Sequence, residues 1–250
     1  MFRPRVIPVL LLKDLALVKS TNFKDYHYIG DPINAVRIFN DLRADELVFL
    51  DIEASKEKRL ISLDFVRDVG EEANMPFAVG GGIKTIEAIR QVINAGAEKV
   101  VINTAAAENP EFIREAADTF GSSTIVVCID VKKKFLKGYQ TWILGGKKST
   151  GITPIDFAKK MQDLGAGELI IQSIERDGTR LGYDVELIHS ISTAVTIPVV
   201  ALGGAGKISD LKDAHTKSFA NGLAAGSMFV YQGSKKGVLI NYPNKSELNF

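Results

Sequence analysis

The chain has 250 residues, 46% of them hydrophobic, enough for one large core and in the size range at which α/β barrels fold as a single unit. A net charge of +1 gives no field to hold nucleic acid or an acidic membrane surface, and a lone cysteine, Cys128, excludes an internal disulfide and suits a reducing compartment. Arg3 and Arg5 precede an apolar run that Lys13 and Asp14 soon break, which fits neither a signal peptide nor a membrane span, so a cytoplasmic protein is expected.

Taken in order, β-rich runs alternate with helical patterns. Residues 6–11 are apolar throughout, as a strand buried on both faces of a parallel sheet must be. Residues 12–30 have mixed polarity and read as a loop with room for a local hairpin. Asp31-Pro32, an N-cap followed by proline at the first helical position, opens a helix. Strands at 46–51, 77–79 and 99–102 then alternate with helices at 60–73, 85–94 and 110–120. The series restarts with a strand at 124–130. Residues 135–149, with Gly145-Gly146 near their end, read as a hairpin excursion before a helix that starts near Thr153-Pro154. Strands at 168–172, 199–201 and 223–225 follow, separated by helices at 185–195 and 208–216; the tail 237–250 carries Pro243 and no helical stripe. Eightfold alternation with right-handed crossovers closes as a (βα)8 TIM barrel, one domain over residues 1–250, with an open doubly wound sheet as the alternative.

The run Val79-Gly80-Gly81-Gly82-Ile83-Lys84 leaves a strand and enters a helix. Glycines there let bare N–H groups approach an anion at a helix N-terminus, which points to a phosphate. A lone glycine turn is often only a tight connection, but this one recurs half a chain later as Ala201-Leu202-Gly203-Gly204-Ala205-Gly206-Lys207. Ala44-Asp45-Glu46-Leu47 likewise returns as Ala166-Gly167-Glu168-Leu169, and Val101-Ile102-Asn103-Thr104 as Ala224-Ala225-Gly226-Ser227. The spacing implies two similar half-barrels, about 1–121 and 122–250, each contributing one glycine turn and one small-hydroxyl turn. Two phosphate sites related by a pseudo-twofold axis are therefore expected.

Barrel enzymes do their chemistry at the C-terminal ends of the strands. The acids there are Asp51, Asp130 and Asp177. A carboxylate aimed inward is costly to bury unless it is paired or working, and Asp130, at the end of an apolar run, is the candidate acid or base. Asp51 and Asp177 precede turn-like sequences and serve catalysis or loop architecture. Cys128 and the scattered His27, His189 and His215 form neither a Cys-His nucleophile nor a metal set, so no metal and no cofactor are expected.

The strings Val48-Phe49-Leu50-Asp51-Ile52, Val79-Gly80-Gly81-Gly82-Ile83, Gly96-Ala97-Glu98-Lys99-Val100, Glu175-Arg176-Asp177-Gly178-Thr179 and Gly203-Gly204-Ala205-Gly206-Lys207 resemble the HisF family, the cyclase subunit of imidazole glycerol phosphate synthase. The resemblance covers roughly residues 3–230. It implies a (βα)8 cyclase/lyase that receives ammonia from a HisH-like glutaminase docked at the opposite mouth and joins it to a bis-phosphorylated substrate. By the same resemblance, Gly81, Gly82, Asn103 and Thr104 hold one phosphate. Gly203, Gly204, Gly226 and Ser227 hold the other, with Asp177 and Gly178 nearby. Lys19 and Phe23 belong to a loop that closes over substrate. Arg5, Glu46, Lys99 and Glu168 form a charged ring gating ammonia, or simply a set of ion pairs closing the base, and Glu98 contributes to partner docking.

One departure lies at the chemical centre. The family pairs an Asp ending strand one with the Asp ending strand five, but Leu11 holds the first position here, and Asp130 has lost its partner. Gln172 and Leu202 stand where the family has threonine and serine. These changes, with the closing run from Gly237 to Pro243, resemble the HisF-like paralogues associated with glycosyl amidination, which serve a bacterial surface-polysaccharide sugar with a glutaminase and a separate amidotransferase. The remaining alternatives are a genuine histidine-pathway cyclase, a non-catalytic conduit that activates a glutaminase, and a phosphosugar isomerase using two acids.

Overall fold

The computed structural model describes residues 3–233 and 237–248. Apolar runs that must bury both faces make eight strands: β1 (Arg5–Lys13), β2 (Leu47–Asp51), β3 (Phe77–Gly80), β4 (Lys99–Ile102), β5 (Ile125–Lys134), β6 (Glu168–Ser173), β7 (Val199–Leu202) and β8 (Gly222–Ala225). Each is parallel to the next, and β8 returns to β1 through the register Arg5↔Gly222 to Pro8↔Ala225. The ring is closed, which makes the fold a (βα)8 barrel; an open doubly wound sheet would leave β1 and β8 as edges.

Alternation along each strand divides the core in two. Outward residues such as Leu10, Phe49, Val127 and Ile171 pack under the helices, while inward ones such as Ile7, Val48, Val101 and Ile170 fill the cylinder. Phe49 meets Phe65 edge-on with ring centroids 5.3 Å apart, joining β2 to its helix.

The outer layer is α1 (Pro32–Asp41), α2 (Leu63–Glu72), α3 (Ile86–Asn94), α4 (Glu111–Phe120), α5 (Pro154–Asp163), α6 (Val185–Ser192) and α7 (Ile208–Ser218). Asp31 and Thr153 cap α1 and α5 as the sequence implies, accepting from the N–H of Asn34 at 2.8 Å and of Asp156 at 3.2 Å. The helix expected from residue 60 starts later because Ser62 Oγ takes the Phe65 N–H. Single-turn helices at Thr104–Glu108 and Ser227–Val230, which periodicity cannot register, follow β4 and β8.

Two excursions rise from the C-terminal ends of the strands. Ala16–Thr21 pairs back on β1 and on Lys24–Gly30, so the segment read as a loop with room for a local hairpin forms one along most of its length. The extended end of β5 pairs with Gly138–Ile143, and Lys148–Ser149 adds a short third strand. At the other end, the Tyr242 hydroxyl of the tail donates to Val6 O at 2.9 Å and accepts from the Asp45 N–H at 3.1 Å, tying the tail to the barrel base. Asn249 and Phe250, the last residues of that tail, lie outside the described residues. No helix among the described residues is long and apolar enough to cross a membrane.

Candidate active site

The mouth at the C-terminal ends of the strands holds a cavity of about 410 Å³. Inward positions at the top of the barrel make its floor: Val9, Leu11, Leu50 and Leu202 with Asp130 and Gln172. Lys19, Phe23 and Tyr26 from the first excursion and Leu144 and Gly145 from the second complete its walls. The register Gln172↔Asp130 and Gln172↔Leu202 sets β5, β6 and β7 side chains on one level.

Asp130 is 7% exposed. Burial pushes its carboxyl up to about 7, the like charge of Asp177 pushes the same way, and hydrogen bonding from Asn103 and Cys128 opposes both. The group can therefore give or take a proton near neutrality. Leu11 lines the same cavity and offers it nothing to exchange a proton with. The Cys128 thiol is raised well above its ordinary range by burial and by Asp130, so it is no nucleophile.

Asp177 is also raised by burial, but both oxygens are engaged: Ser20 Oγ donates to one at 3.0 Å and Gln172 Nε2 to the other at 3.1 Å. Lys19 is buried, with Nζ donating to Val9 O at 2.5 Å. Burial lowers its ammonium to about 8, and attraction to Asp177 limits the fall. Asn22 completes the junction, its backbone N–H on Asp177 O and its side chain on the carbonyls of Ile174 and Glu175. The first excursion is thus latched to the loop after β6. Sequence reasoning singles out Asp177 and Lys19 but misses Ser20, Asn22 and the Gln172 clamp, since nothing in a polar loop segment signals which loop it will meet.

The glycine turns have a steric reason besides any ligand. Gly82, at φ +68°, would drive a Cβ into Arg59 O, and Gly204, at φ +109°, into Gly182 O. The loops after β2 and β6 dock there in matching ways, Ile61 N–H on Gly81 O at 3.0 Å and Gly182 N–H on Gly204 O at 2.8 Å. Gly81, Gly82, Asn103 and Thr104 line the cavity, as does Ser227. Gly203, Gly204, Gly226 and Gly178 are outside that lining: Gly226 lies behind the Lys19 ammonium and Gly178 beneath Ser20 O. Asp51 is a loop architect, accepting from the N–H of Glu53 and Ala54 at 3.1 Å and pairing with Arg59 at 2.5 Å.

At the opposite end, Arg5, Glu46, Lys99 and Glu168 meet in a ring of alternating sign. Arg5 bridges the two glutamates, and Lys99 Nζ reaches them at 3.1 and 3.2 Å. Both glutamates are buried, so the ring closes the floor while leaving no carboxylate uncompensated. Glu98 is exposed beside it. Among the described residues no cluster of three His, Cys, Asp or Glu is placed to hold a metal ion.

The family described as "Histidine biosynthesis protein" matches residues 5–236. A protein of Leptospira borgpetersenii named "Putative imidazole glycerol phosphate synthase subunit HisF" is 46% identical over 248 residues, covering 99% of this chain and 98% of that one. The Pseudomonas aeruginosa relative whose name ends in hisF2 is 43% identical over 249 residues, 100% of this chain and 99% of its own. The Alkaliphilus metalliredigens "Imidazole glycerol phosphate synthase subunit HisF" is 45% identical over 231 residues, covering 92% of each chain.

Proposed function

The chain belongs to the histidine biosynthesis protein family, as a HisF-type synthase subunit, and from that footing we propose that it takes ammonia from a HisH-like glutaminase and serves sugar amidination rather than histidine synthesis. The observation that carries the second half is Leu11: it faces the cavity that holds Asp130, where the HisF-type reaction calls for a second carboxyl. Asp177 does not stand in for it, because Ser20 and Gln172 already occupy its oxygens.

In this reading ammonia enters at the Arg5, Glu46, Lys99 and Glu168 ring, with the glutaminase seated on the face that carries Glu98. It crosses the barrel and emerges beside Asp130, under Lys19. A phosphorylated ligand is gripped by Gly81, Gly82, Asn103 and Thr104 on one side and by Ser227, with Gly203, Gly204 and Gly226, on the other; Asp177 and Gly178 hold the lid in place. A separate amidotransferase completes the reaction, and the site of action is the cytoplasm. Glutamine labelled with nitrogen-15 at the amide, given to the chain with its glutaminase and amidotransferase, should deliver label to the sugar. Purified chain with ammonium salt should fail to cyclise the ribulosyl-formimino substrate; cyclisation at ordinary enzyme rates makes it a histidine enzyme after all. Charge reversal of Glu98 should abolish co-purification with the glutaminase.

A further inference from the structure

Beyond Asp130, β5 runs out of the barrel as one arm of the second excursion, and its sequence changes character. The run Lys132-Lys133-Lys134-Phe135-Leu136-Lys137 sets four cations around two large apolar residues. Phe135 and Leu136 are 89% and 90% exposed, more than any other large hydrophobic side chain among the described residues. The Lys137 N–H bonds Lys134 O at 3.0 Å to close the turn, with Leu136 at φ +61°. Glycine or asparagine fills such a position at less cost, so the geometry of the turn does not account for a leucine there.

Three layers follow one another down this hairpin. Below the apolar tip come the lysines, and below them two aromatic rings: the Lys133 ammonium stands 4.7 Å from the Tyr139 ring centroid and that of Lys132 5.4 Å from the Trp142 ring. The acids hydrogen-bonded to the hairpin meet it beneath the tip, Glu175 accepting the Lys133 N–H at 3.3 Å and Asp184 the Tyr139 hydroxyl at 2.6 Å. Among the described residues the lysines in ion pairs are Lys13, Lys99 and Lys217, so the four around the tip keep their charge unpaired. The whole-chain sum of +1 hides this local excess. Apolar, then cationic, then aromatic is the order that matches acyl chains, anionic headgroups and the membrane–water boundary.

We propose that the tip of this hairpin docks the protein on an anionic lipid surface, Phe135 and Leu136 entering the acyl boundary and Lys132, Lys133, Lys134 and Lys137 lying on the headgroups. A protein partner suits the tip less well. Two side chains on a convex point offer far less than the ~800 Å² per partner of a standard interface, and lysine is depleted from interface cores. Reversible lipid docking needs only a few apolar groups together with a polybasic patch. Because the hairpin stands on the C-terminal rim of the barrel, docking puts the cavity mouth on the lipid side and leaves the face with the Arg5 ring open.

The test is flotation of the purified full chain with two sets of vesicles, one of phosphatidylcholine alone and one of phosphatidylcholine and phosphatidylglycerol in equal parts. The chain should float with the anionic set and not with the neutral one, and added salt should weaken the binding. Each lysine near such a surface is worth about fivefold in affinity, so Lys134→Ser combined with Lys137→Ser should lower vesicle affinity by roughly 25-fold. Phe135→Ser combined with Leu136→Ser should lower it by about tenfold or more. All four positions are exposed, and an unchanged urea midpoint shows that the variants fold. A wild-type chain that ignores anionic vesicles overturns the proposal, and that comparison stands whatever the variants do. Flotation unaffected by the serines at 135 and 136 overturns it as well, since charge alone then holds the chain. Should vesicle binding be absent while those serines abolish co-purification with the glutaminase or the amidotransferase, the tip is a protein-docking element and the lipid proposal falls.

Discussion

Asp130→Asn should make the protein more stable in alkali, and by an amount that depends on pH. The Asp130 carboxyl is pushed from its ordinary 3.8 up to about 7, chiefly by burial. Each pH unit of displacement corresponds to about 1.4 kcal/mol, so ionised Asp130 costs the folded state up to about 4 kcal/mol relative to its acid form. Between the two values the native chain keeps a proton that the unfolded chain has released, so stability falls as pH climbs through that window and levels off above about 7. Asparagine cannot ionise. The stability gap in favour of the variant should therefore widen by about 2–3 kcal/mol between roughly pH 5 and pH 8. Lys19 and Asp177 also titrate abnormally, but they are present in both proteins and largely cancel in the difference. Urea unfolding followed by the fluorescence of Trp142, which pairs with Asp130 across the hairpin, measures it directly. A gap that stays constant with pH, or a variant less stable than wild type in mild alkali, refutes the electrostatic account of this carboxyl.

Leu11→Asp restores an acid in the cavity: it should cost about 2–4 kcal/mol of stability in urea and raise any cyclisation of the ribulosyl-formimino substrate by ~10²-fold or more. Gly82→Ala puts a Cβ against Arg59 O at a backbone angle of +68°, so the loop after β2 must move; affinity for inorganic phosphate at that end of the cavity should fall while the change at Gly178 or Gly204 spares it. Glu168→Ala leaves Arg5 and Lys99 sharing one carboxylate and should destabilise the barrel by about 3 kcal/mol. Tyr242→Phe removes a hydroxyl that bridges Val6 O and the Asp45 N–H, costing about 1–2 kcal/mol at the tail.

The barrel is legible in the sequence because its signals are local. Apolar strands, the Asp31 and Thr153 caps and the strand-to-helix glycines each state their own conformation, and a closed ring is what eight such units build. The four-charge floor is legible too, since Arg5, Glu46, Lys99 and Glu168 all stand at strand starts and a parallel barrel gathers strand starts at one mouth. The roof is not. That Asn22 meets Ile174 and Glu175, and Ser20 meets Asp177, depends on how two loops far apart in sequence fall over the mouth. Gly178, Gly203 and Gly204 read as belonging to an anion site, and a Cβ on any of them would also meet neighbouring backbone, that of Ser20, Ser173 and Gly182 in turn. A glycine's sequence context cannot separate these two uses, because both call for a missing Cβ.

The two halves keep their symmetry where it is structural and lose it where it is chemical. The loops after β2 and β6 dock on the two glycine turns by backbone bonds one residue out of register, at Gly81 and Gly204, and Glu46 and Glu168 take equivalent places between Arg5 and Lys99. At the top of the barrel Leu11 faces the cavity from one half and Asp130 from the other, while Leu50 has Gln172 as its counterpart. Fold stability is served by the repeated contacts and indifferent to the broken ones, since leucine fills the interior at least as well as aspartate. A duplicated barrel can therefore exchange its central acids without disturbing its floor or its loops. The consequence is a centre with one carboxyl free to titrate, Asp130, and one clamped carboxyl, Asp177, rather than two acids facing each other across the cavity.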